Sequence, residues 1–271
     1  MQDLIYQMVP YQLSEIKHNY GKNVHILADS YLLSHLALLC SEQTFQPTIN
    51  ELVETLYSGL VKIIINQEFP KKKMAVATRM HAYHPEAVFE GELVDPDQKT
   101  VTVNLARAGT FPSHVCYTAF NYVLNPKLVR QDHISINRET DAKEKVVGAK
   151  ISGHKIGGSI DDSIVVFPDP MGATGGTLVS ALNIYKNEVQ GKAKKFIALH
   201  LIVTPEYLKK VRATHPDLTI YAVRLDRGLS KPPILQTTPG TCWDEERGLN
   251  DKQYIVPGGG GFGEILNNSF V

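Results

Sequence analysis

The stretch "SIVVFPDPMGATGGTLVSAL", Ser163 to Leu182, decides the fold. A short apolar run leads into Asp169, then a chain of small residues, then a helical pattern in which Leu178, Ala181, Leu182 and Tyr185 share one face. A buried strand followed directly by a helix is the unit of a parallel α/β sheet. Between them stand Gly172, Gly175 and Gly176, which can take backbone angles that other residues resist. Successive amides can then point into one concavity. The helix expected from about Thr177 adds its free N–H groups and the positive end of its dipole, and Thr174 and Thr177 add hydroxyls. The combination is a phosphate cradle built from neutral groups. Asp169 is placed to accept from sugar hydroxyls or to sit near a metal. There is no G-x-x-x-x-G-K-[ST], which excludes a nucleoside-triphosphate P-loop, and the spacing is not G-x-G-x-x-G, which argues against a dinucleotide fold.

Outward from this stretch the alternation continues. "TVTVNLARAG" before it and "FIALHLIV" and "LTIYAV" after it read as strands. Thr204 caps, and Pro205 opens, a helix between the last two. After "RAGTFP" a helix is expected with Pro112 in its first turn and Val115, Cys116 and Phe120 on its apolar face. "MAVATRM" and "HISI" read as further short strands, and "QYIV" as a last one. Upstream, "LADSYLLSHLALLC" puts Leu32, His35, Leu36 and Leu39 on one helical face. A second helix is expected from Thr48, with Thr48 and Glu51 forming a capping box and Leu52, Leu56, Leu60 and Ile63 its buried stripe. The first twenty or so residues have no period and read as an arm or edge element. The charged 137–161 segment reads as a mobile loop or loose hairpin, and 226–252 as a long loop of the kind that is usually functional or disordered. The expected architecture is one α/β domain over 1–271. It has a mainly parallel sheet with helices on both faces and a hood from the helical segment at about 24–70 and the C-terminal residues. Ligands of such sheets bind at the carboxyl ends of the strands.

Composition narrows the function classes. The chain has 271 residues, 43% of them hydrophobic, enough for a substantial core. Lys+Arg and Asp+Glu are both 28, so nothing marks a general binder of nucleic acid. Cys40, Cys116 and Cys242 fit neither a disulfide framework nor a zinc pattern. No secretory signal opens the sequence, and runs such as "FIALHLIV" are far short of a membrane span, so a soluble, cytoplasmic protein is expected. His81 and His84 lack a convincing carboxylate array and read as surface histidines.

"DPMGATGGT" resembles the phosphoribosyl diphosphate (PRPP) signature of type I phosphoribosyltransferases, in the form found in uracil phosphoribosyltransferases, D-P-M-L-A-T-G-G-[ST]. Further segments resemble the same family in its order. "NLARAG" is similar to the diphosphate loop, "HPDLTIYAVRLDRGL" to the stretch after the fourth strand, and "YIVPGGGGFG" to the base-holding loop Y-I-V-P-G-x-G-D-x-G. "TFQPTINELVETLYSGLVKIIINQEFP" is similar to the N-terminal hood. The resemblance runs from about residue 24 to the end, interrupted by 226–252.

The resemblance implies an enzyme of pyrimidine salvage that transfers the phosphoribosyl group of PRPP to uracil, giving UMP and diphosphate with Mg²⁺ as cofactor. It also implies a homodimer or homotetramer. Residues Asp169, Pro170, Met171, Gly172, Ala173, Thr174, Gly175, Gly176 and Thr177 would hold the ribose and 5-phosphate, with Asp169 on the ribose hydroxyls. Arg107, Ala108 and Gly109 would hold the diphosphate, Arg107 through charge-assisted bonds. Arg107 and Asp169 are the residues expected to carry catalysis. Tyr254, Ile255, Gly260, Gly261 and Phe262 would frame the base, and Arg138 and Glu139 would belong to a lid. Three departures are visible. Gly261 stands where the family carries an aspartate, the arginine register of "NRET" is shifted, and "LLCSEQT" replaces a basic R-x-K motif. Trp243, in the 226–252 insertion, is expected to plug the hood. Two alternatives stay open: a PRPP- or nucleotide-binding regulator without catalysis, and a phosphoribosyltransferase for another base.

Overall fold

In β7 (Ile164–Pro168) every residue is buried, and successive side chains enter different cores. Ile164 and Val166 join a cluster with the N-terminal helices, while Val165 and Phe167 join one with the helices that follow β7. This two-sided burial is what a run without polar alternation demands, because a strand exposes opposite faces to opposite sides. The computed structural model describes residues 10–140 and 146–269, with side chains described outside 136–151.

In chain order the elements are β1 (Val24–Ile26), α1 (Ser30–Leu39), α2 (Thr48–Glu68), β2 (Lys71–Ala77), β3 (Val88–Val94), β4 (Thr100–Ala106) and α3 (Thr110–Asn121). They continue with β5 (Val129–Thr140), β6 (Val146–Lys155), β7, β8 (Met171–Gly172), α4 (Gly176–Asn187), β9 (Lys195–Val203) and α5 (Pro205–Thr214). Last come β10 (Thr219–Leu225), α6 (Pro232–Leu235) and α7 (Phe262–Ile265). Among the described residues the main sheet has eight strands in the order β1-β10-β9-β7-β4-β5-β6, with β8 also on β9. All its pairings are parallel except β5 with β6. One face carries α1, α2 and α3, and the other carries α4 and α5. Ile255, Phe262 and Leu266 pack into the α1–α2 cluster, so N-terminal helices and C-terminal residues together form the hood. No helix among the described residues is long and apolar enough to cross a membrane.

Several expectations are corrected. The α2 helix begins at Thr48, but there is no capping box. Pro47 is the cap residue, already in helical geometry, and its carbonyl accepts from Asn50 and Glu51, so Thr48 cannot adopt the extended conformation that a capping hydroxyl needs. On α1, Leu32, Leu36 and Leu39 are buried, whereas His35 is only half-buried and turns its Nδ1 to Tyr31 O. "MAVATRM" does contain a strand, but β2 leaves the main sheet and pairs antiparallel with β3. "HISI" is the middle of the longer β5. In the 137–161 segment the hairpin reading holds for the described residues, where β5 and β6 pair with Arg138 opposite Ala149 and Glu139 opposite Gly148 along the backbone. The side chains of Arg138 and Glu139 lie outside the described residues. "QYIV" makes a single bridge, Leu249 to Ile255, in place of a strand.

The 226–252 insertion is folded. Buried Glu246 accepts from Arg227 Nη1 at 2.9 Å, from Gly240 N at 2.8 Å and from the Tyr20 hydroxyl, while Arg227 also donates to the carbonyls of Ile234, Leu235 and Thr237. Trp243 does not plug the hood. It packs on the opposite core, edge-on to Tyr20, and its Nε1 donates to Pro205 O at 2.9 Å. The indole follows the insertion, which folds over the start of α5.

Candidate active site

Because β4, β7, β9 and β10 run parallel, the loops that leave their carboxyl ends meet at one edge of the sheet. The first is the Asp169–Thr177 turn. Gly175 has φ +78 and caps α4, and a Cβ there would stand 2.9 Å from Val211 Cγ2. Gly172 is required by contact, since a Cβ would lie 2.9 Å from Val203 and 3.2 Å from the Tyr207 ring. Gly176 is not needed on either ground, because its φ is ordinary and a Cβ would meet nothing closer than 3.5 Å. No side chain caps α4. Its first turn therefore presents N–H groups and a positive dipole end at the loop. Thr174 Oγ1 lies 3.5 Å from Gly176 N, and Ala173, Thr174, Gly176 and Thr177 are half-buried at the rim.

The turn is strapped from beneath. Thr204 at the end of β9 donates its hydroxyl to Ala173 O at 2.7 Å, donates its N–H to Gly172 O at 3.0 Å, and caps α5 by accepting from Tyr207 N. Asp169 is half-buried. Its N–H donates to Leu199 O at 3.0 Å, and its Oδ1 lies 3.4 Å from Met171 N. Its carbonyl meets His200 Nδ1 at 2.6 Å, while His200 Nε2 meets the Tyr207 hydroxyl at 2.5 Å. A carbonyl only accepts, so Nδ1 carries the proton and Nε2 accepts from Tyr207. His200 and Tyr207 are completely buried, and Tyr207 lies under Gly172 and Gly175.

Burial lowers the His200 pKa from 6.5 to about 4. Unfolding frees the ring to protonate, so the unfolded chain binds more protons between these values and stability falls as the pH is lowered through them. The contribution of neutral His200 is full above 6.5, and about 2 kcal/mol of it is lost by about pH 5. Urea unfolding across this range should show a flatter pH slope for His200→Gln than for the unsubstituted chain. The amide keeps a donor and an acceptor but does not titrate.

The β4 loop lies alongside. A Cβ on Gly109 would fall 3.0 Å from Pro168 O, so glycine allows the two strand ends to approach. The Ala106–Arg107 peptide is cis, Ala108 is half-buried, and Arg107 is exposed. The Arg107 Nη1 donates to Ser269 O at 3.2 Å and Ser269 Oγ at 3.1 Å, while Nη2 is 3.6 Å from Glu264 Oε1. Arg107 thus joins the β4 loop to the C-terminal segment.

That segment is held at the end of β10. Asp226 is buried, accepting from Arg224 Nε at 2.6 Å, Arg224 Nη2 at 2.8 Å and Gly258 N at 2.8 Å, and Arg224 Nη2 also donates to Gly258 O at 2.9 Å. Gly258 has φ +61, and a Cβ would collide with Ile255 O. Of the expected base-loop residues, Tyr254 is exposed. Ile255 and Phe262 are core residues that seat the loop on the hood, and Gly260 and Gly261 line its open side. Pro170 is buried behind Asp169, and Met171 packs on the hood side. The Asp169–Thr177 turn, the Arg107–Gly109 loop and the 254–262 loop therefore come together, while Arg138 and Glu139 lie on β5, three and four residues beyond Ser135, the strand partner of Ala106.

Residues 26–242 match the family model described as uracil phosphoribosyltransferase. The chain belongs to the uracil phosphoribosyltransferase family. It is 27% identical over 249 residues to a uracil phosphoribosyltransferase of Variovorax paradoxus, covering 90% of this chain and 97% of that one. It is 28% identical over 242 residues to that of Dictyoglomus thermophilum, covering 89% and 97%. Among solved structures, the AQ2163 protein of Aquifex aeolicus superposes with a TM-score of 0.69 at 22% identity, covering 92% of this chain and 99% of that one, a likeness of fold.

Sequence reasoning missed the supports of the family's loops. Arg224 and Asp226 stand two apart at the end of "YAVRLD", so their side chains point to one side of the chain. His200 is the only polar residue of "FIALHLIV", a signal that a buried partner must exist. Glu264 follows the family pattern and carries no signal of its own.

Proposed function

We propose that the protein transfers the phosphoribosyl group of PRPP to uracil, releasing UMP and diphosphate, in cytoplasmic pyrimidine salvage. The observation that carries this reading is the meeting of three loops at one sheet edge: an uncapped helix start beside an acid, a glycine-tightened loop bearing Arg107, and a base loop fixed through its backbone.

In this reading the 173–177 turn takes the 5-phosphate on backbone N–H groups and the hydroxyls of Thr174 and Thr177. Asp169 accepts from the ribose hydroxyls. Arg107, with Ala108 and Gly109, takes the diphosphate. The backbone of 254–262 reads the alternating acceptors and donors along uracil's edge. The C1–oxygen bond to diphosphate breaks, the N1–C1 bond forms, and the N1 proton leaves to solvent. The charge that develops is positive on the ribose, near Asp169, and negative on diphosphate, near Arg107. The chain acts by positioning and by preorganised charge, with no covalent nucleophile.

Mg²⁺ bound with PRPP would neutralise charge on the departing diphosphate. Among the described residues no group of three or more metal-ligating side chains converges. This fits a hard cation held mostly by substrate oxygens and water, with Asp169 the nearby carboxylate. The β5–β6 hairpin with Arg138 and Glu139 is the segment assigned as lid. A homodimer or homotetramer belongs to the same proposal, and exposed Val76, Met80 and Tyr83 give the β2–β3 hairpin apolar surface suited to it.

Incubation with PRPP, Mg²⁺ and uracil should yield UMP. Absence of turnover across a panel of pyrimidines and purines overturns the reading. Binding of PRPP or UMP without product would instead identify a regulator, and turnover with another base would reassign the substrate. Thr174→Ala should weaken PRPP binding about tenfold in calorimetry, the effect of one lost hydrogen bond to a charged group. Its melting temperature should barely move. Unchanged PRPP affinity would contradict the cradle.

A further inference from the structure

Three residues of α5, Tyr207, Lys210 and Val211, are spaced to share one helical face, and that face lies along the glycine turn. A Cβ on Gly172 would stand 3.2 Å from the Tyr207 ring, and one on Gly175 would stand 3.4 Å from that ring and 2.9 Å from Val211 Cγ2. Tyr207 and Val211 are buried, so their packing fixes where α5 sits against the turn. Lys210 carries the line on to Gly176, the first residue of α4. Its Nζ is 3.5 Å from where a Gly176 Cβ would be, and Thr174 Oγ1 is 3.8 Å from the same point. Two positive ends meet there. No side chain caps α4, so its first turn carries free N–H groups and the positive end of its dipole. Among the described residues the Lys210 ammonium has no carboxylate within salt-bridge reach and no hydrogen-bond acceptor, whereas the adjacent Lys209 pairs with Asp244. A cation at a helix start repels the dipole, and an anion between them attracts both. The Asp169–Thr177 turn has no lysine or arginine of its own.

We propose that Lys210 binds the 5-phosphate of PRPP, supplying from α5 the positive charge that the turn itself lacks. Tyr207 and Val211 set where the lysine stem begins, and the exposed head is free to close on a phosphate oxygen as a point charge. A contact that needs reach rather than a rigid fork is one lysine makes well. The inference rests on the assignment of the 5-phosphate to the 173–177 turn in the proposed reaction.

The test is calorimetry with UMP and with inorganic pyrophosphate, on the unsubstituted protein and on Lys210→Met, which keeps the stem and removes the charge. Of the two ligands only UMP carries a 5-phosphate. Lys210→Met should bind UMP about tenfold more weakly, the effect of one lost charge-assisted bond, with pyrophosphate affinity unchanged. Lys210→Arg should recover most of the UMP affinity. In kinetics, KM for PRPP should rise about tenfold with kcat and KM for uracil unchanged. Added NaCl should raise KM for PRPP less steeply in Lys210→Met than in the unsubstituted protein. The melting temperature of the free variant should not fall, because the ammonium holds no partner in the folded chain. An unsubstituted protein that binds neither UMP nor PRPP sinks the reading of the turn, and the inference with it. A protein that binds UMP equally well with methionine at 210, or in which pyrophosphate weakens instead, keeps the turn's assignment and overturns the role of Lys210. Equal losses of UMP affinity in Lys210→Met and Lys210→Arg would mark packing rather than charge, and overturn it too.

Discussion

Asp169→Asn should cut UMP formation a hundredfold or more while leaving the unfolding midpoint within a degree or two. The backbone of Asp169 is fixed independently of its carboxyl group: its N–H donates to Leu199 O, and its carbonyl accepts from His200. Asparagine has nearly the same shape, so the turn and its straps to Thr204 survive. What goes is the charge. A carboxylate can accept from ribose hydroxyls and oppose the positive charge that builds on the ring as diphosphate departs, and an amide does the second poorly. Removal of a single preorganised electrostatic group of this kind costs about a hundredfold to a thousandfold in kcat. Steady-state kinetics with PRPP varied, paired with thermal unfolding, checks both halves. A loss of activity that tracks a loss of stability would reassign Asp169 to folding.

The second large effect is on stability. Asp226→Ala should lower the unfolding free energy by about 3 kcal/mol, in the range for breaking one side of a buried ion pair. Asp226 has a side-chain exposure of 2%, and it satisfies both Arg224 and the Gly258 N–H. Without it the guanidinium keeps the Gly258 carbonyl but loses its counter-charge, and a buried N–H loses its acceptor. The same bonds hold the 254–262 loop at φ +61 of Gly258, so with the base bound there as proposed KM for the base should rise more than KM for PRPP. Urea unfolding and bisubstrate kinetics measure the two consequences. A stability loss under about 1 kcal/mol would show that the pair is well replaced by water.

Much of the site was legible along the chain because its chemistry is local. In "DPMGATGGT" the acid, the glycines and the helix start lie within nine residues, and a strand–turn–helix unit brings them together without outside help. The same holds for "NLARAG", where β4 ends and α3 begins around Gly109. Capping was legible at Thr204, whose hydroxyl takes the Tyr207 N–H, and not at Thr48, where the preceding proline already enters the helix. Trp243 failed as a hood plug because its side of the sheet depends on where a long insertion folds, which no nearby period records.

The sequence by itself determined a mainly parallel α/β sheet, the succession β4, α3, β7, α4, β9, α5 and β10 around the glycine turn, and the glycine-bearing loops at the strand ends, since periodicity, caps and glycine turns act over a few residues. Only the tertiary structure decided that β2 and β3 leave the main sheet, that His200 and Tyr207 brace Asp169 and the glycine turn, that Asp226 pins Gly258, and that the Glu264 carboxylate stands beside Gly261 against Arg107. Most of those contacts join residues far apart in sequence, and burial fixes them: a polar group removed from water must find its partner wherever the packed chain brings one.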